Sequence, residues 1–87
     1  MNFLHYELTL DINDVVVVGL DRQANVRLLD ETNYSRYKRG DQHTYHGGLA
    51  KTSPARVKAP RAGKWHLVVD LGGFPGTVRA SVNVVRG

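Results

Sequence analysis

The chain has 87 residues, with twelve lysines and arginines against eight aspartates and glutamates and a formal net charge of +4. This length predicts one small domain, and the absence of cysteine excludes disulfides and thiolate-ligated zinc. The longest apolar run, Val15–Leu20, is far shorter than the ~20 residues of a membrane span. The N-terminus lacks the basic and apolar regions of a signal peptide, so we expect a cytoplasmic protein with no membrane partner.

Charge is unevenly distributed along the chain. Residues 1–31 hold six acids and two arginines, whereas residues 32–87 hold ten lysines and arginines and two aspartates. If the two halves lie on different surfaces, the molecule has a basic side, which favours an anionic partner such as nucleic acid, a nucleotide or an acidic protein surface. A solvated surface that only aids solubility is the alternative, and it stays open.

Apolar residues recur with a period of two in the first third of the chain, which predicts strands. Residues 4–10 alternate between an apolar and a polar face. The run Val15–Leu20 is apolar on both faces, as in a strand buried on both sides, and Gly19 within it indicates a bulge or a close backbone approach. A third strand, Val26–Leu29, directs Arg27 outward.

The period of two breaks at residues 30–40. Asp30 can cap a short helix and Gly40 can end it. Tyr34 and Tyr37 then share one helix face, because residues three apart do so. The available length predicts one or two helical turns.

Strand character resumes in the second half of the chain. It is predicted at His43–His46, where Gly47–Gly48 stops it, and then at Arg56–Ala59, Lys64–Leu71 and Thr77–Val85. About seven short strands separated by glycine, proline and asparagine turns predict an all-β fold. We expect a single domain that is a small antiparallel β-sandwich, jelly-roll-like, with one short helical turn.

The segment between the third and fourth predicted strands gathers aromatic, cationic and imidazole side chains. These candidate ligand-binding residues are Tyr34, Arg36, Tyr37, Lys38, Arg39, His43, Tyr45 and His46. Aromatic rings stack on bases while arginine and lysine bind phosphate, which is the combination that nucleotides and single-stranded nucleic acid require. The alternative is that Tyr34 and Tyr37 pin a long connection onto the sandwich while the cations are solvated.

The sequence contains no catalytic motif, since it has no nucleophile elbow, zincin helix or phosphate-binding loop. His43 and His46 are three apart and would point to opposite faces of a strand, so no metal and no cofactor are expected. His5 and His66 are interpreted as outward or hydrogen-bonded strand positions. Asp70 is interpreted as an acceptor of backbone or arginine hydrogen bonds at a turn.

Several strings in the chain together match the pattern of a known family. They are Phe3–Tyr6, Gln23–Leu28, Asn33–Tyr34 with Tyr37 and Gly40, Tyr45–Gly48, Ser53–Pro54 and Gly63–Gly73. On these strings the chain resembles, over essentially its whole length, the bacterial family catalogued as domain of unknown function 1883. The resemblance implies a compact β-sandwich with no established activity. Family members attached to TIR domains imply, by analogy, a sensing or docking module.

Three functions remain open from the sequence. The first is a non-enzymatic binding or interaction module that contacts an anionic partner through residues 34–46. The second is a structural, self-associating subunit, a homodimer formed through Thr77–Val85 as an exposed edge strand. The third is a small hydrolase, for which the sequence offers no nucleophile with its base.

Overall fold

The computed structural model describes residues 2–87 as seven strands in two antiparallel sheets, with one helix. The elements in chain order are β1 Phe3–Leu10, β2 Val15–Leu20, β3 Ala24–Leu29, α1 Glu31–Arg39, β4 His46–Ala50, β5 Ala55–Lys58, β6 Gly63–Asp70 and β7 Ala80–Val85. The four-stranded sheet has the order β1-β6-β3-β4, and the three-stranded sheet has the order β5-β2-β7. The predicted small antiparallel β-sandwich is confirmed.

The main core lies between the two sheets, where alternate residues of each strand point inward. Its buried members are Leu10, Val16, Val18, Ala24, Val26, Leu28, Val57, Ala59, Trp65, Leu67 and Val69. The indole Nε1 of Trp65 donates to the carbonyl oxygen of Arg61 at 3.1 Å. The ring therefore fills the core while its one polar atom keeps a partner, as a buried tryptophan requires.

Strand β2 differs from its prediction of burial on both faces. Val16 and Val18 are fully buried in the core, but Val15 and Val17 are only half-buried. The helix lies on the other sheet, and within residues 2–87 no element covers the outer face of β2. A doubly apolar run therefore forms the middle strand of a sheet that is open to solvent on one side.

Two predictions made from glycines are corrected. Gly19 pairs with Ser81 in an unbroken register, and it leaves room for the Ser81 hydroxyl rather than forming a bulge. Gly47 and Gly48 do not end a strand, because β4 runs through both with φ of 111° and 152° and pairs with β3. A Cβ on Gly47 would collide with the carbonyl oxygen of Val26, so glycine here permits a close approach of two backbones.

Helix α1 begins and ends where the sequence indicates. The Asp30 side chain accepts a hydrogen bond from the backbone N–H of Asn33 at 2.8 Å, and Gly40 closes the helix in the left-handed conformation with φ of 77°. Its nine residues exceed the one or two turns predicted. Within residues 2–87 no helix is long and apolar enough to cross a membrane.

The helix packs on the outer face of the four-stranded sheet and forms a second, smaller core. Tyr34 and Tyr37 of α1 are buried there against Leu29 of β3 and Val68 of β6, with Phe3 of β1 at the edge. The predicted shared face of the two tyrosines is confirmed. The central strands β3 and β6 of this sheet are thus covered on both sides.

Candidate functional site

The outer face of the four-stranded sheet, beneath α1, holds two groups of polar side chains. The Asp70 cluster comprises Asp70, Arg27, Tyr37 and Asn25. The imidazole cluster comprises His5, His66, Tyr34 and Glu31. Both are anchored on β6, where His66 and Asp70 are separated by roughly 13 Å of extended strand.

The carboxylate of Asp70 is fully buried and receives hydrogen bonds from three directions besides its ion pair. The Tyr37 hydroxyl donates to Oδ2 at 2.7 Å, and the Asn25 amide donates to Oδ1 at 2.9 Å. The backbone N–H of Gly72 donates to Oδ1 at 2.8 Å, and the Arg27 guanidinium contacts Oδ2. The interpretation of Asp70 as an acceptor of backbone and arginine hydrogen bonds is confirmed.

The charges of the Asp70 cluster are fixed by these contacts. Burial alone would raise the pKa of Asp70, but the hydrogen bonds from Tyr37, Asn25 and Gly72, together with the charge of Arg27, hold that pKa below its ordinary value. Burial and the neighbouring carboxylate raise the pKa of Tyr37 far above that of a free tyrosine. At neutral pH a neutral phenol therefore donates to a charged carboxylate.

Arg27 lies on the outer face as predicted, but two tyrosines enclose it. Its guanidinium carbon is 5.4 Å from the ring centroid of Tyr37 and 5.1 Å from that of Tyr45. Only 17% of the side chain is exposed. Its Nε is buried and has no hydrogen-bond partner within residues 2–87. Buried donors are nearly always paired, so this nitrogen is an exception among the described residues.

A cleft of about 960 Å³ opens beside the Asp70 cluster, and we call it the α1 cleft. Arg27, Tyr37 and Asp70 line it, together with the residues that follow α1 and the loop 71–78. On that loop Phe74 is 75% exposed, which leaves a whole aromatic ring at the wall of the cleft. A concave site with apolar walls and a few polar groups is the usual form of a small-molecule site.

The imidazole cluster is a chain of hydrogen bonds between β1, β6 and α1. Nε2 of His5 lies 2.8 Å from Nδ1 of His66, whose Nε2 contacts the carboxylate of Glu31. The Tyr34 hydroxyl lies 3.1 Å from Nδ1 of His5. The Tyr34 ring stacks over both imidazoles, with centroid distances of 4.3 Å to His5 and 4.1 Å to His66.

The same surroundings set the charges of the imidazole cluster. Burial, followed by the proximity of His66, lowers the pKa of His5. The hydrogen bond and charge of His66 lower the pKa of Glu31, and burial raises the pKa of Tyr34. The cluster therefore contains a carboxylate and a phenol in their ordinary charge states at neutral pH, and His5 favours its neutral form.

The structure brings together three of the eight candidate ligand-binding residues. Tyr37 and His43 line the α1 cleft, and the Tyr45 ring lies 5.8 Å from the His43 ring and beside Arg27. Nδ1 of His43 lies 2.9 Å from the carbonyl oxygen of Asp41, which also lines the cleft.

The other five candidates lie elsewhere. Tyr34 belongs to the imidazole cluster, and the Lys38 ammonium lies 4.6 Å from its ring centroid. Arg39 pairs with Asp41 at the surface, at 3.0 Å. Arg36 is exposed on the last turn of α1. His46 makes an edge contact with Trp65 of the main core, with centroids 5.8 Å apart.

Tyr34 and Tyr37 hold the helix on the sheet, since only 7% and 5% of their surfaces are exposed. This agrees with the alternative interpretation of the sequence, in which the two tyrosines serve packing. Tyr37 also lines the cleft, so in this residue packing and access to a ligand coincide.

Sequence reasoning missed Arg27 and Phe74 as site residues. Phe74 carried a signal, because a large apolar residue in a glycine-rich turn has no strand face to occupy. Arg27 carried none, since its role depends on Asp70, Tyr37 and Tyr45, which come from other parts of the chain.

Comparison with known proteins places the chain in one family. Searches of curated proteins and of solved structures gave no match. A family model described as a domain of unknown function (DUF1883) matches residues 1–87, which is the whole chain. The chain therefore belongs to the DUF1883 family of domains.

Proposed function

We propose that the protein is a binding module whose α1 cleft takes a ligand with an anionic group and a small apolar part. The observation that carries the proposal is Arg27, a cleft-lining arginine that contacts Asp70 through Nη1 and lies beside the rings of Tyr37 and Tyr45. A cytoplasmic location belongs to the proposal, and a chain without cysteine is compatible with it.

The donors of Arg27 are not used up by Asp70. A guanidinium has five N–H donors in a planar fork that matches carboxylate and phosphate groups. Asp70 already accepts from Tyr37, Asn25 and Gly72, so it does not depend on Arg27 alone. The donors of Arg27 that do not contact Asp70 are therefore available to a ligand anion.

The walls of the cleft favour a ligand that is not purely ionic. Phe74 offers an exposed ring, and a ligand that covers it removes apolar surface from water. The last turn of α1 adds the positive charges of Arg36, Lys38 and Arg39, which raise the local concentration of anions. A small phosphate ester or carboxylate with a planar or apolar portion fits these groups.

Calorimetric titration tests the proposal with inorganic phosphate, a nucleoside monophosphate, a short oligonucleotide and an acidic peptide. We expect at least one to bind, and to bind more weakly at about 300 mM than at about 50 mM salt, because ionic contacts are screened. Arg27→Lys keeps the charge but loses the fork, and Phe74→Ala removes an exposed ring without touching the core. Each should weaken binding about tenfold, in line with the loss of one charge-assisted hydrogen bond or one stacked ring.

Arg56→Ala is the matched control, because Arg56 is exposed on the other sheet and its loss changes the net charge without changing the cleft. An Arg36→Ala/Arg39→Ala double variant measures the contribution of the helix charges. The proposal is overturned if none of the four probes binds, or if Arg27→Lys and Phe74→Ala both bind as tightly as the wild type.

A second candidate function, a self-associating subunit, is favoured by strand β7. Among residues 2–87 it pairs only with β2, so its other side is an open edge, and Val85 is 55% exposed. Light scattering at micromolar concentration should then give a dimer, and Val85→Lys should give a monomer. A wild-type protein that is strictly monomeric removes this candidate.

A further inference from the structure

Three potential metal ligands meet on the outer face of the four-stranded sheet, at the end away from the α1 cleft. Glu7 of β1 lies directly opposite His66 of β6, and His5 is two residues before Glu7 on the same face. One ligand atom from each lies within 4.8 Å of the others. We propose that His5, Glu7 and His66 bind a divalent transition metal ion such as Zn²⁺.

The facing imidazole nitrogens are almost at the separation that a bound metal requires. Nε2 of His5 and Nδ1 of His66 are 2.8 Å apart. A tetrahedral ion with bonds of 2.0–2.1 Å to nitrogen holds two ligand nitrogens about 3.3 Å apart. The nitrogens therefore need to separate by roughly half an ångström, a movement within the reach of small side-chain rotations.

The outer nitrogens of both rings already have the partners that metal-binding histidines have. Nε2 of His66 contacts the Glu31 carboxylate, and Nδ1 of His5 lies 3.1 Å from the Tyr34 hydroxyl. Such contacts fix the tautomer and orientation of a metal-binding imidazole. They come from α1, so the helix that covers the sheet also orients both rings.

The protons of the two rings can be arranged so that a metal ion replaces the hydrogen bond between His5 and His66. When both rings are neutral, an ionised Glu31 accepts from Nε2–H of His66, and Nδ1 of His66 accepts from Nε2–H of His5. When a metal binds, the His5 proton moves to Nδ1, where the Tyr34 oxygen accepts it.

Glu7 completes a set of two imidazoles and one carboxylate, donors that suit zinc and similar ions. It is exposed, so a fourth position stays open to water or to a group from solution. The two carboxylates of Glu7 and Glu31 offset the charge of the ion, and Lys38 opposes it from above Tyr34. The sequence expectation of no metal considered His43 and His46, which the structure directs to Tyr37 and Trp65 instead.

Titration of the tag-free, full-length chain with Zn²⁺ tests the site, with calorimetry for stoichiometry and thermal unfolding for stability. We expect one ion per chain and a rise in melting temperature, because the ion binds only the folded arrangement. When Co²⁺ is titrated in place of Zn²⁺, the bound ion should show the absorption spectrum of Co²⁺ with nitrogen and oxygen ligands. His5→Gln and Glu7→Gln should each weaken Zn²⁺ binding at least tenfold, and Glu31→Gln about tenfold, as for loss of an outer-shell partner.

His46→Gln is the matched control, since it removes one imidazole, as His5→Gln does, from an exposed position elsewhere and should bind Zn²⁺ like the wild type. Should His5→Gln fail to fold by circular dichroism, Glu7→Gln still decides the question, because Glu7 is exposed and outside both cores. The proposal is overturned by the absence of stoichiometric binding, by unchanged affinity in Glu7→Gln, or by loss of binding in the control.

Discussion

The outer faces of the two sheets differ in a way that runs against their sequences. Strand β6 carries a histidine and an aspartate on its outer face, yet from Trp65 to Asp70 it is buried on both sides. Strand β2 consists mainly of valine, yet its outer face is half open. The difference in burial arises because α1 packs on the outer face of the four-stranded sheet and supplies hydrogen-bond partners for its polar groups. Polar side chains tolerate burial when they are hydrogen-bonded, whereas apolar side chains are buried only where another element of the chain packs against them.

Of the variants that test this difference between the two faces, Asp70→Ala should lower the free energy of unfolding most. The change leaves the Arg27 charge and the Tyr37 hydroxyl without their acceptor beneath the helix. Breaking a buried ion pair from one side costs about 3–5 kcal/mol, a large part of the stability of a small domain. Urea unfolding should show a much lower midpoint or no folded state at all.

Asp41→Ala is the control for that variant, because it removes the partner of Arg39 in an exposed ion pair. Its expected cost is below about 1 kcal/mol. Equal costs for the two variants would mean that the Asp70 cluster does not hold the covered face together.

A smaller effect is expected from Tyr37→Phe, which keeps the ring in the second core and deletes the donor to Asp70. A hydrogen bond to a charged group contributes about 1.5–3 kcal/mol. Tyr45→Phe deletes a hydroxyl from an exposed tyrosine that also flanks Arg27, and it should leave the free energy of unfolding unchanged within about 0.5 kcal/mol. A Tyr37→Phe variant as stable as Tyr45→Phe would contradict the role given to this hydrogen bond.

The covered and open faces can be compared directly with two valine truncations. Val68→Ala removes two methyl groups from beneath α1, and the cavity and lost burial should cost about 2 kcal/mol. Val17→Ala makes the same change on the open face of β2, where the cost should be below about 1 kcal/mol. Chemical denaturation measures both. Similar losses would show that something covers β2 in solution, and the self-association candidate would then gain support.

The smallest expected effect is a pH dependence at Glu31. The hydrogen bond and charge of His66 lower the pKa of Glu31 in the folded chain. The contact therefore stabilises the fold above the ordinary glutamate pKa, about pH 4 to 5, and this stabilisation is lost as the pH falls through the lower folded value. Between about pH 6 and about pH 3, Glu31→Gln should lose less stability than the wild type in urea unfolding. Parallel pH profiles would exclude this contribution.

Most of the fold could be predicted from local patterns. The period of two locates most of the strands, and Asp30 and Gly40 mark the ends of α1 because capping depends on neighbouring residues. The strand predicted at His43–His46 is wrong, because it shares only His46 with β4. The wrong predictions concern residues whose structure depends on parts of the chain that are distant in sequence. Gly47 and Gly48 look like a strand end until β3 is known to lie beside them, and the valines of β2 look doubly buried until α1 is assigned to the other sheet.

The candidate site could be predicted only in part, for the same physical reason. The segment after β3 does contribute Tyr37 and His43 to the α1 cleft. The groups that give the cleft its chemistry, Arg27 and Asp70, come from β3 and β6, which neighbour each other only in the folded sheet. His5 and His66 are separated by most of the chain, and no spacing in the sequence signals their contact.

The burial of Trp65 between the sheets, with the tyrosines of α1 on the far side of the same sheet, gives the protein two internal optical reporters. The single tryptophan senses the main core, whereas Tyr34 and Tyr37 sense the layer beneath the helix. In a Tyr6→Phe/Tyr45→Phe background, which removes the other two tyrosines, the two signals can be followed separately during unfolding. If the helix detaches while the sandwich persists, the tyrosine signal changes first, and the α1 cleft and the imidazole cluster would open without loss of the β-scaffold.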